Sequence, residues 1–396
     1  MKKVHKLLSL MLAVVMLFAC VGLTACSKDE TQSTGSTGAD GSTLVIGGIG
    51  PLTGQYANYG IHNRNGVALA VKEINEAGGV NGFQLKLEFQ DSEGDSDSAA
   101  AAYGKLIDMG MKVSLGGTLS GETQSVVAAA KEDGLLVLTP TGSSKACIEG
   151  SNAAFRVCFN DPQQGTASAD FIKDNELGTK VAVFYASDND YSKGLYEKFK
   201  EEADKIGLEI VTTQTFTDGT KTDFSTQINT IKDSGAELVF IPIYAAEAAT
   251  FLTQAKGKLA DGMYFFGCDG LDGILGKIAD PKYAENVLML TPFAADDPAE
   301  NVQKFVDAYK KAYNNEVPDQ FAAYGYDAIY VIAEALRKAN LTSTDMNDFN
   351  TRIIAAMTQI EVSGVTGTMT WTEDGETQKA AKAMIIKDGV AVAFQK

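Results

Sequence analysis

Hydroxyl side chains follow two neighbouring strand-like segments in the first half of the chain. Ser120 comes after the segment 112–115, and Thr141 and Ser143 come after the segment 135–138. Each hydroxyl precedes a helix start, where unpaired backbone N–H groups and the helix dipole favour an anion. Simple N-capping would also explain each residue separately. Because two neighbouring loops carry the same chemistry, the pattern predicts a site for an anion such as a carboxylate.

An acidic residue later in the chain could receive the opposite charge. Asp269, between Cys268 and Gly270, follows a strand-like run and could accept charge-assisted hydrogen bonds from an ammonium group. Alternatively, Asp269 is an ordinary turn residue before a glycine. The hydroxyls and the acid together predict a site for a zwitterion. Three tyrosines near loops could form the walls of a side-chain pocket, namely Tyr59, Tyr191 and Tyr244.

Common catalytic and metal sites need residues that this chain does not supply. His5 belongs to an N-terminal segment that is removed, so His62 is the single histidine left, which argues against Ser-His-Asp and Cys-His chemistry. The segment 47–51 does not complete G-x-G-x-x-G, and no cysteine spacing suits zinc. The formal net charge of −17 argues against binding to nucleic acid. We expect no cofactor, no metal and no enzymatic activity.

Short apolar runs alternate with segments of helical spacing, which predicts an α/β fold with parallel sheets. The first series occupies residues 44–138, and a second starts near residue 163. We therefore predict two Rossmann-like lobes. Helical patterns at 299–313, 328–338 and 348–358 come after the second series and need a sheet to cover. This requires the chain to return to the first lobe.

The predicted lobes are discontinuous in sequence. Lobe 1 comprises residues 44–161 plus 292–365, and lobe 2 comprises residues 162–291 plus 366–396. Ligands of such sheets bind outside the carboxyl ends of the strands, where loops lead into helices. We therefore expect a small polar ligand in a hinged cleft between the lobes.

The N-terminus has the order of a bacterial export signal. Three lysines precede the apolar run 7–21, which ends in the sequence Leu-Thr-Ala-Cys at Cys26. This resembles the lipobox of bacterial lipoproteins, whereas a plain signal peptide cut at a nearby small residue is the alternative. The resemblance implies a signal peptide over 1–25 and a lipidated, flexible tether over 26–43. The protein would then lie on the outer face of the bacterial cytoplasmic membrane, held to the bilayer through Cys26.

Two cysteines of the folded part flank a short turn-like segment. An exported protein can form disulfides, so Cys147 and Cys158 could close a hairpin. Two buried thiols are an equal alternative, and the sequence leaves both open.

An ordered set of motifs runs through residues 44–396. It consists of GPLTG at 50–54 with YG at 59–60, INEAGGVNG at 74–82, DS at 91–92, SGETQ at 120–124, TPT at 139–141, FR at 155–156, YSKG at 191–194 and YGYDA at 324–328. With these motifs the chain resembles the periplasmic binding proteins for branched-chain amino acids, of the leucine/isoleucine/valine type. The resemblance implies the type 1 fold of that family, with two lobes and a hinged cleft.

The resemblance also implies a role for each candidate residue. Tyr191 corresponds to the cleft tyrosine of the second lobe, and Tyr59 to part of the wall around an aliphatic side chain. The family commonly has Glu at the position of Asp269, and Gly121 and Glu122 replace hydroxyl residues of the family. The ligand carboxylate would be held by Ser120, Thr141 (mainly its backbone) and Ser143. The ammonium group would be held by Asp269 with Tyr244.

These inferences predict a monomeric, lipid-anchored binding protein of an ABC importer. It would capture a small amino acid, first of all leucine, isoleucine or valine, by cleft closure and deliver it to the membrane permease. An amide, urea or an aromatic amino acid on the same fold is one alternative. A ligand-sensing ectodomain is a second, and a nucleotide-dependent enzyme, which the incomplete glycine loop disfavours, is a third.

Overall fold

The computed structural model describes residues 42–395. The predicted signal peptide, the lipidated Cys26 and the tether up to residue 41 lie outside the described residues. Within that range, no helix combines the length and apolarity that a bilayer crossing requires.

The first lobe is built on a parallel sheet of five strands in the order β2-β1-β3-β4-β5. Its strands are mostly buried apolar runs, as expected for a parallel sheet covered on both faces. They are β1 (Thr43–Gly50), β2 (Gln84–Asp91), β3 (Val113–Ser114), β4 (Leu136–Thr139) and β5 (Ala154–Arg156).

Helices cover both faces of this sheet. Leu136 and Leu138 of β4 contact one apolar cluster, whereas Val137 contacts the other, because successive strand residues point to opposite faces. The helices that follow the strands are α1 (Ala57–Glu76), α2 (Ser96–Asp108) and α3 (Ser120–Asp133).

The second lobe contains a sheet of seven strands in the order β14-β13-β10-β9-β8-β6-β7. Five of them are parallel: β6 (Lys180–Ala186), β7 (Glu209–Phe216), β8 (Leu238–Phe240), β9 (Tyr264–Gly267) and β10 (Val287–Thr291). An antiparallel hairpin extends the sheet beside β10, formed by β13 (Lys382–Lys387) and β14 (Val390–Ala393).

Helices also cover both faces of the second sheet. Val181 and Val183 of β6 share an apolar cluster with Phe199, whereas Phe184 faces the other side and stacks on Phe251 at 4.6 Å. The helices are α4 (Asp161–Asp174), α5 (Asp190–Ile206), α6 (Ser225–Asp233) and α7 (Ala245–Ala255). The predicted α/β fold with parallel-strand sheets in two lobes is confirmed.

After β10 the chain returns to the first lobe. Tyr324 and Ile332 pack with Leu44 and Ile46 of β1, and the helix over 349–357 joins the same core, so two of the three late helices cover the first sheet. The remaining one, over 300–312, packs through Phe305 and Tyr309 on neighbouring helices. The late helices are α8 (Glu300–Ala312), α9 (Gln320–Lys338) and α10 (Phe349–Met357), and a short hairpin of β11 (Val362–Gly364) and β12 (Gly367–Met369) follows them.

The last crossing between the lobes differs from the prediction. Met369 and Trp371, which the predicted bounds place in lobe 2, are buried in the core of the first lobe. The Trp371 indole N–H donates a hydrogen bond to the Arg156 carbonyl (2.7 Å), which ties this segment to β5. The chain re-enters the second sheet at Lys382, so residue 366 is too early as the point of return.

The cysteines of the described chain are free thiols. Cys147 contacts the cluster between the sheet and α3, and Cys158 contacts the cluster on the opposite face. The sheet separates the two sulfur atoms, which corrects the alternative of a disulfide between Cys147 and Cys158.

Candidate ligand-binding site

The predicted hydroxyl residues lie together beyond the carboxyl ends of β3 and β4. Ser120, at the start of α3, accepts a hydrogen bond at its Oγ from the Ser144 N–H (3.2 Å), so its own hydroxyl proton remains available. The Thr141 hydroxyl donates to the Thr118 carbonyl (2.7 Å). Ser143, two residues after Thr141 in the same loop, is buried. Because the Thr141 hydroxyl is already engaged, its backbone is the part that can serve a ligand.

The loop that carries Thr141 and Ser143 is held by Arg156, a residue that sequence reasoning did not select. The buried Arg156 guanidinium donates hydrogen bonds to the carbonyls of Gly142 (2.9 Å), Ser143 (2.6 Å) and Ser144 (3.0 Å). It also forms an ion pair with Glu376 (3.0 Å). With its carbonyls turned towards Arg156, the loop is held in place by a guanidinium whose charge is paired with Glu376.

The start of α3 does not offer all the free N–H groups that the sequence predicted. Glu122, where the resemblance expected a hydroxyl residue, accepts hydrogen bonds from the N–H groups of Thr118 (3.1 Å) and Leu119 (3.0 Å). Burial raises the pKa of Glu122 to about 7, and these hydrogen bonds partly oppose the shift. The anion-binding capacity therefore depends on the Ser120 hydroxyl and the 141–143 loop.

Asp269 follows β9 in the second lobe and is positioned by two helices. The Tyr191 hydroxyl, on α5, donates to Asp269 Oδ1 (2.8 Å) and accepts from the Gly270 N–H (2.7 Å). Gln164, on α4, accepts from the Asp269 N–H (2.9 Å). The ring of Tyr244 stacks on Tyr191 at 4.8 Å. These contacts fix one carboxylate and two aromatic rings at the end of the second sheet.

A second carboxylate in the same region was missed by sequence reasoning. Asp161, the first residue of α4, is fully buried, and its carboxylate oxygens have no well-formed hydrogen bond among the described residues, although the Ser143 side chain is near enough to lower its pKa. Its N–H donates to the Ser143 carbonyl (3.0 Å), which joins it to the hydroxyl loop. Burial, and then the charge of Asp269, raise its pKa well above the ordinary value. The signal available was an Asp-Pro pair, which is also a common helix start.

The two carboxylates leave the site short of positive charge. Burial raises the pKa of Asp269 to about 6, although hydrogen bonds from Tyr191 and Gln164 oppose the shift. Relative to the usual value of 3.8, this corresponds to about 3 kcal/mol against the ionised form in the fold. A cation placed between Asp161 and Asp269 would remove much of that penalty.

One predicted tyrosine joins the two lobes directly. The Tyr59 hydroxyl, on α1, donates to the Gly270 carbonyl (2.7 Å) and accepts from the Ala245 N–H (2.9 Å). Its ring lies 5.6 Å from that of Tyr244 and 4.8 Å from that of Phe321. Tyr59 therefore connects the lobes; of the seven predicted site residues six are buried, while Tyr244 is half-buried.

A second contact across the cleft was also not predicted. The Tyr56 hydroxyl (2.8 Å) and the Gln55 side-chain amide (3.2 Å) both donate to Glu247 Oε1, at the start of α7. The Gln55 carbonyl accepts from Lys277 Nζ (2.7 Å), also in the second lobe. We call this group, Gln55, Tyr56, Glu247 and Lys277, the rim contact.

Comparison with known proteins agrees with this architecture. A family model described as "Periplasmic binding protein" matches residues 43–390, and the chain belongs to that family. A Leu/Ile/Val-binding protein homologue of Brucella melitensis is 30% identical over 335 residues, which cover 84% of this chain and 88% of the relative.

Solved structures match as well. The branched-chain amino acid transporter substrate-binding protein LivJ of Streptococcus pneumoniae, in complex with isoleucine, has a TM-score of 0.81 and 27% identity, covering 89% of this chain and 98% of its own. A solute-binding protein of R. palustris, in complex with benzoate, has a TM-score of 0.78 at 21% identity, with coverages of 89% and 95%, and shows the fold alone. The predicted family is confirmed.

The rim contact leads to a first prediction. Tyr56→Phe removes a hydrogen bond to a charged acceptor across the cleft, worth about 1.5–3 kcal/mol. The closed form becomes less populated, so the affinity for every ligand that closes the cleft should fall about tenfold or more. Titration calorimetry with two different ligands measures this. Tyr185→Phe, which alters a tyrosine that stacks on Tyr196 within the second lobe, is the matched control. Unchanged affinity in Tyr56→Phe would show that the rim contact does not support closure.

The raised pKa of Asp269 leads to a second prediction. The pKa of Asp269 in the folded protein (about 6) exceeds the ordinary value (3.8). The free energy of unfolding therefore falls as pH rises from about 4 to about 6, and above that interval the full penalty for ionised Asp269 applies. Asp269→Asn should therefore raise the free energy of unfolding by up to about 3 kcal/mol at pH 7.5 and by little at pH 4. Denaturant titration at both pH values measures it. Asp204→Asn, an exposed change in α5, should have little effect at either pH. A loss of stability at pH 7.5 in Asp269→Asn would contradict the proposed penalty for ionised Asp269.

Proposed function

We propose that this protein is the extracytoplasmic solute-binding component of an ABC importer and that it captures an α-amino acid, first of all leucine, isoleucine or valine. The cleft would close around the ligand, and the membrane permease would receive it from the closed form. The observation that carries the proposal is the pair of buried carboxylates, Asp161 and Asp269, next to a hydroxyl loop held by Arg156.

The polarity of the cleft matches a zwitterion. The ligand carboxylate would bind the Ser120 hydroxyl and the loop of Thr141 and Ser143, close to the positive charge of Arg156. Its ammonium group would compensate Asp269 and Asp161. Charge-assisted hydrogen bonds of this kind are shorter and stronger than those between neutral groups.

The aromatic residues suit an aliphatic side chain. The rings of Tyr59 and Tyr191 both lie against that of Tyr244, and the Tyr191 hydroxyl contacts Asp269. The relatives named above are Leu/Ile/Val-binding proteins or an isoleucine complex, which supports the same ligand class. Ligands without an ammonium group, such as urea or an aromatic acid, would leave both carboxylates uncompensated.

Each lobe supplies one half of the ligand's contacts, so binding and closure would be a single event. Ser120 and Thr141 belong to the first lobe, whereas Tyr191, Tyr244 and Asp269 belong to the second. A ligand that bridges them favours the closed form by its extra contacts there. No covalent step is involved, and we propose that the protein acts as a monomer.

A ligand panel tests the proposed function. Thermal unfolding is followed with leucine, isoleucine, valine, threonine, phenylalanine, leucinamide and urea. A ligand at a hundredfold excess over Kd stabilises by about 2.7 kcal/mol, which gives a measurable rise in Tm. We expect the largest rise with leucine, isoleucine or valine, none with urea, and no rise in Asp269→Asn, while Asp204→Asn responds like the parent protein. No response to any aliphatic amino acid would refute the proposal.

We also propose that Cys26 carries the lipid that holds the protein at the membrane. Cys26→Ser removes the acceptor thiol, so the variant should leave the membrane fraction for the soluble exported fraction, because a signal peptide alone provides no lasting anchor. Fractionation and immunoblotting measure the distribution, and Cys20→Ser, which changes the other cysteine of the N-terminal segment, should remain membrane-bound. Retention of Cys26→Ser at the membrane would refute the anchor.

A further inference from the structure

Glu247 has more hydrogen-bonding capacity than the rim contact uses. Its side chain is 5% exposed, and its Oε1 accepts the hydrogen bonds from Tyr56 and Gln55. Its Oε2 is buried and has no partner among the described residues. Burial also raises the pKa of Glu247, as expected for a carboxylate that is poorly solvated. A buried carboxylate oxygen without a donor is costly, and donors of a ligand would relieve that cost.

Glu247 lines a partly open cavity of about 90 Å³ at the carboxyl ends of β6 and β7. The rings of Tyr56 and Tyr244, whose centroids are 5.1 Å apart, form part of its wall. Tyr56 comes from the first lobe, so the cavity is complete when the lobes are closed. Its volume exceeds the roughly 30 Å³ that one water occupies in the liquid. The cavity therefore has room for a few non-hydrogen atoms.

The charges around this cavity favour a cation. Three carboxylates line it, Asp188, Asp218 and Glu247, against one lysine, Lys221. Lys221 already lowers the pKa of Glu247, and Lys277 of the rim contact also senses its charge, but the carboxylates still outnumber the lysines. Lys221 Nζ is paired with Asp218 (2.5 Å) and lies 5.8 Å from the centre of the Tyr56 ring, so this wall already accepts an ammonium group. The described residues contain no group of three or more His, Cys, Asp or Glu that could hold a metal ion. An organic ammonium group suits the aromatic walls better.

The cavity adjoins the proposed amino-acid site. Tyr244 is shared, since its ring stacks on Tyr191 at 4.8 Å and also lines the cavity with Tyr56. Ser192, next to Tyr191 in the chain, lines it too. The proposed amino-acid site and the cavity therefore lie on either side of the Tyr244 ring.

We infer that the cleft has a second subsite at Glu247, which binds the positively charged end of a ligand side chain, so that basic amino acids such as lysine belong to the ligands of this protein. The inference rests on the proposed amino-acid function and deepens it. Lysine would place its α-carboxylate and α-ammonium groups as leucine does and its ε-ammonium group in the cavity.

A pair of matched ligands isolates the subsite. Norleucine has the carbon chain of lysine without the ε-ammonium group, so the ratio of the two dissociation constants measures what that group contributes. In the parent protein, lysine should bind about tenfold or more tightly than norleucine, as expected for a hydrogen bond to a charged partner. Titration calorimetry on the full-length protein gives both constants.

Three variants separate the subsite from the rim contact. Glu247→Gln keeps an acceptor for Tyr56 but removes the charge, so the preference for lysine should fall about tenfold or more. Tyr56→Phe should weaken both ligands without lowering the preference. Glu201→Gln, an exposed change on α5, should leave both constants unchanged.

Each outcome has one interpretation. If leucine and norleucine bind but lysine binds no more tightly than norleucine, or if the preference persists in Glu247→Gln, the subsite is refuted and the cavity holds water alone. If none of the amino acids binds, the proposed function fails, and the subsite fails with it.

Discussion

Incompletely compensated negative charge at the ends of two sheets is the constraint on which this site depends. Asp161 and Asp269 are buried close enough for the charge of Asp269 to raise the pKa of Asp161, and the charge of Arg156 and the Ser143 side chain oppose that shift only in part. Buried carboxylates normally lose their proton only beside a cation. Asp269 is nevertheless held in place by Tyr191 and Gln164. A position that is kept rigid although it destabilises the fold is typical of a binding site, because the missing interaction is supplied by the ligand.

Arg156 is the buried cation of the first lobe next to the proposed site. Its guanidinium is fully buried in the first lobe, where it binds three loop carbonyls and pairs with Glu376. Arg156 therefore fixes the loop that would bind the ligand's carboxylate, whereas Asp161 and Asp269, at the ends of α4 and β9, carry the negative charge that an ammonium group would compensate. Tyr59 adds hydrogen bonds across the cleft, so part of the closed form's stability comes from the protein itself.

The sequence predicts the sheets better than it predicts the contacts between lobes. Alternating apolar runs are local signals, so both parallel sheets and the return of the chain after β10 could be inferred. Asp269 and Tyr191 could be selected as candidates because each comes shortly after a strand, Tyr191 in the first turn of α5. Asp161 could not, since an Asp-Pro pair at a helix start has a sufficient local explanation. The hydrogen bond between Tyr56 and Glu247 joins residues 191 positions apart, and no local pattern encodes it.

The arrangement also separates two kinds of selectivity. In the proposed function, the requirement for a zwitterion would follow from the loop that Arg156 holds and from the two aspartates. The choice of side chain would follow from different residues, Tyr59, Tyr244 and Glu247. Because a buried acid rejects any ligand that leaves it unpaired, the aspartates would exclude whole chemical classes. The tyrosine wall discriminates more weakly, since a methylene in an apolar pocket is worth only about 1–3 kcal/mol. A change of ligand class on this fold would therefore require replacing the aspartates, whereas a change among amino acids would require altering the wall alone.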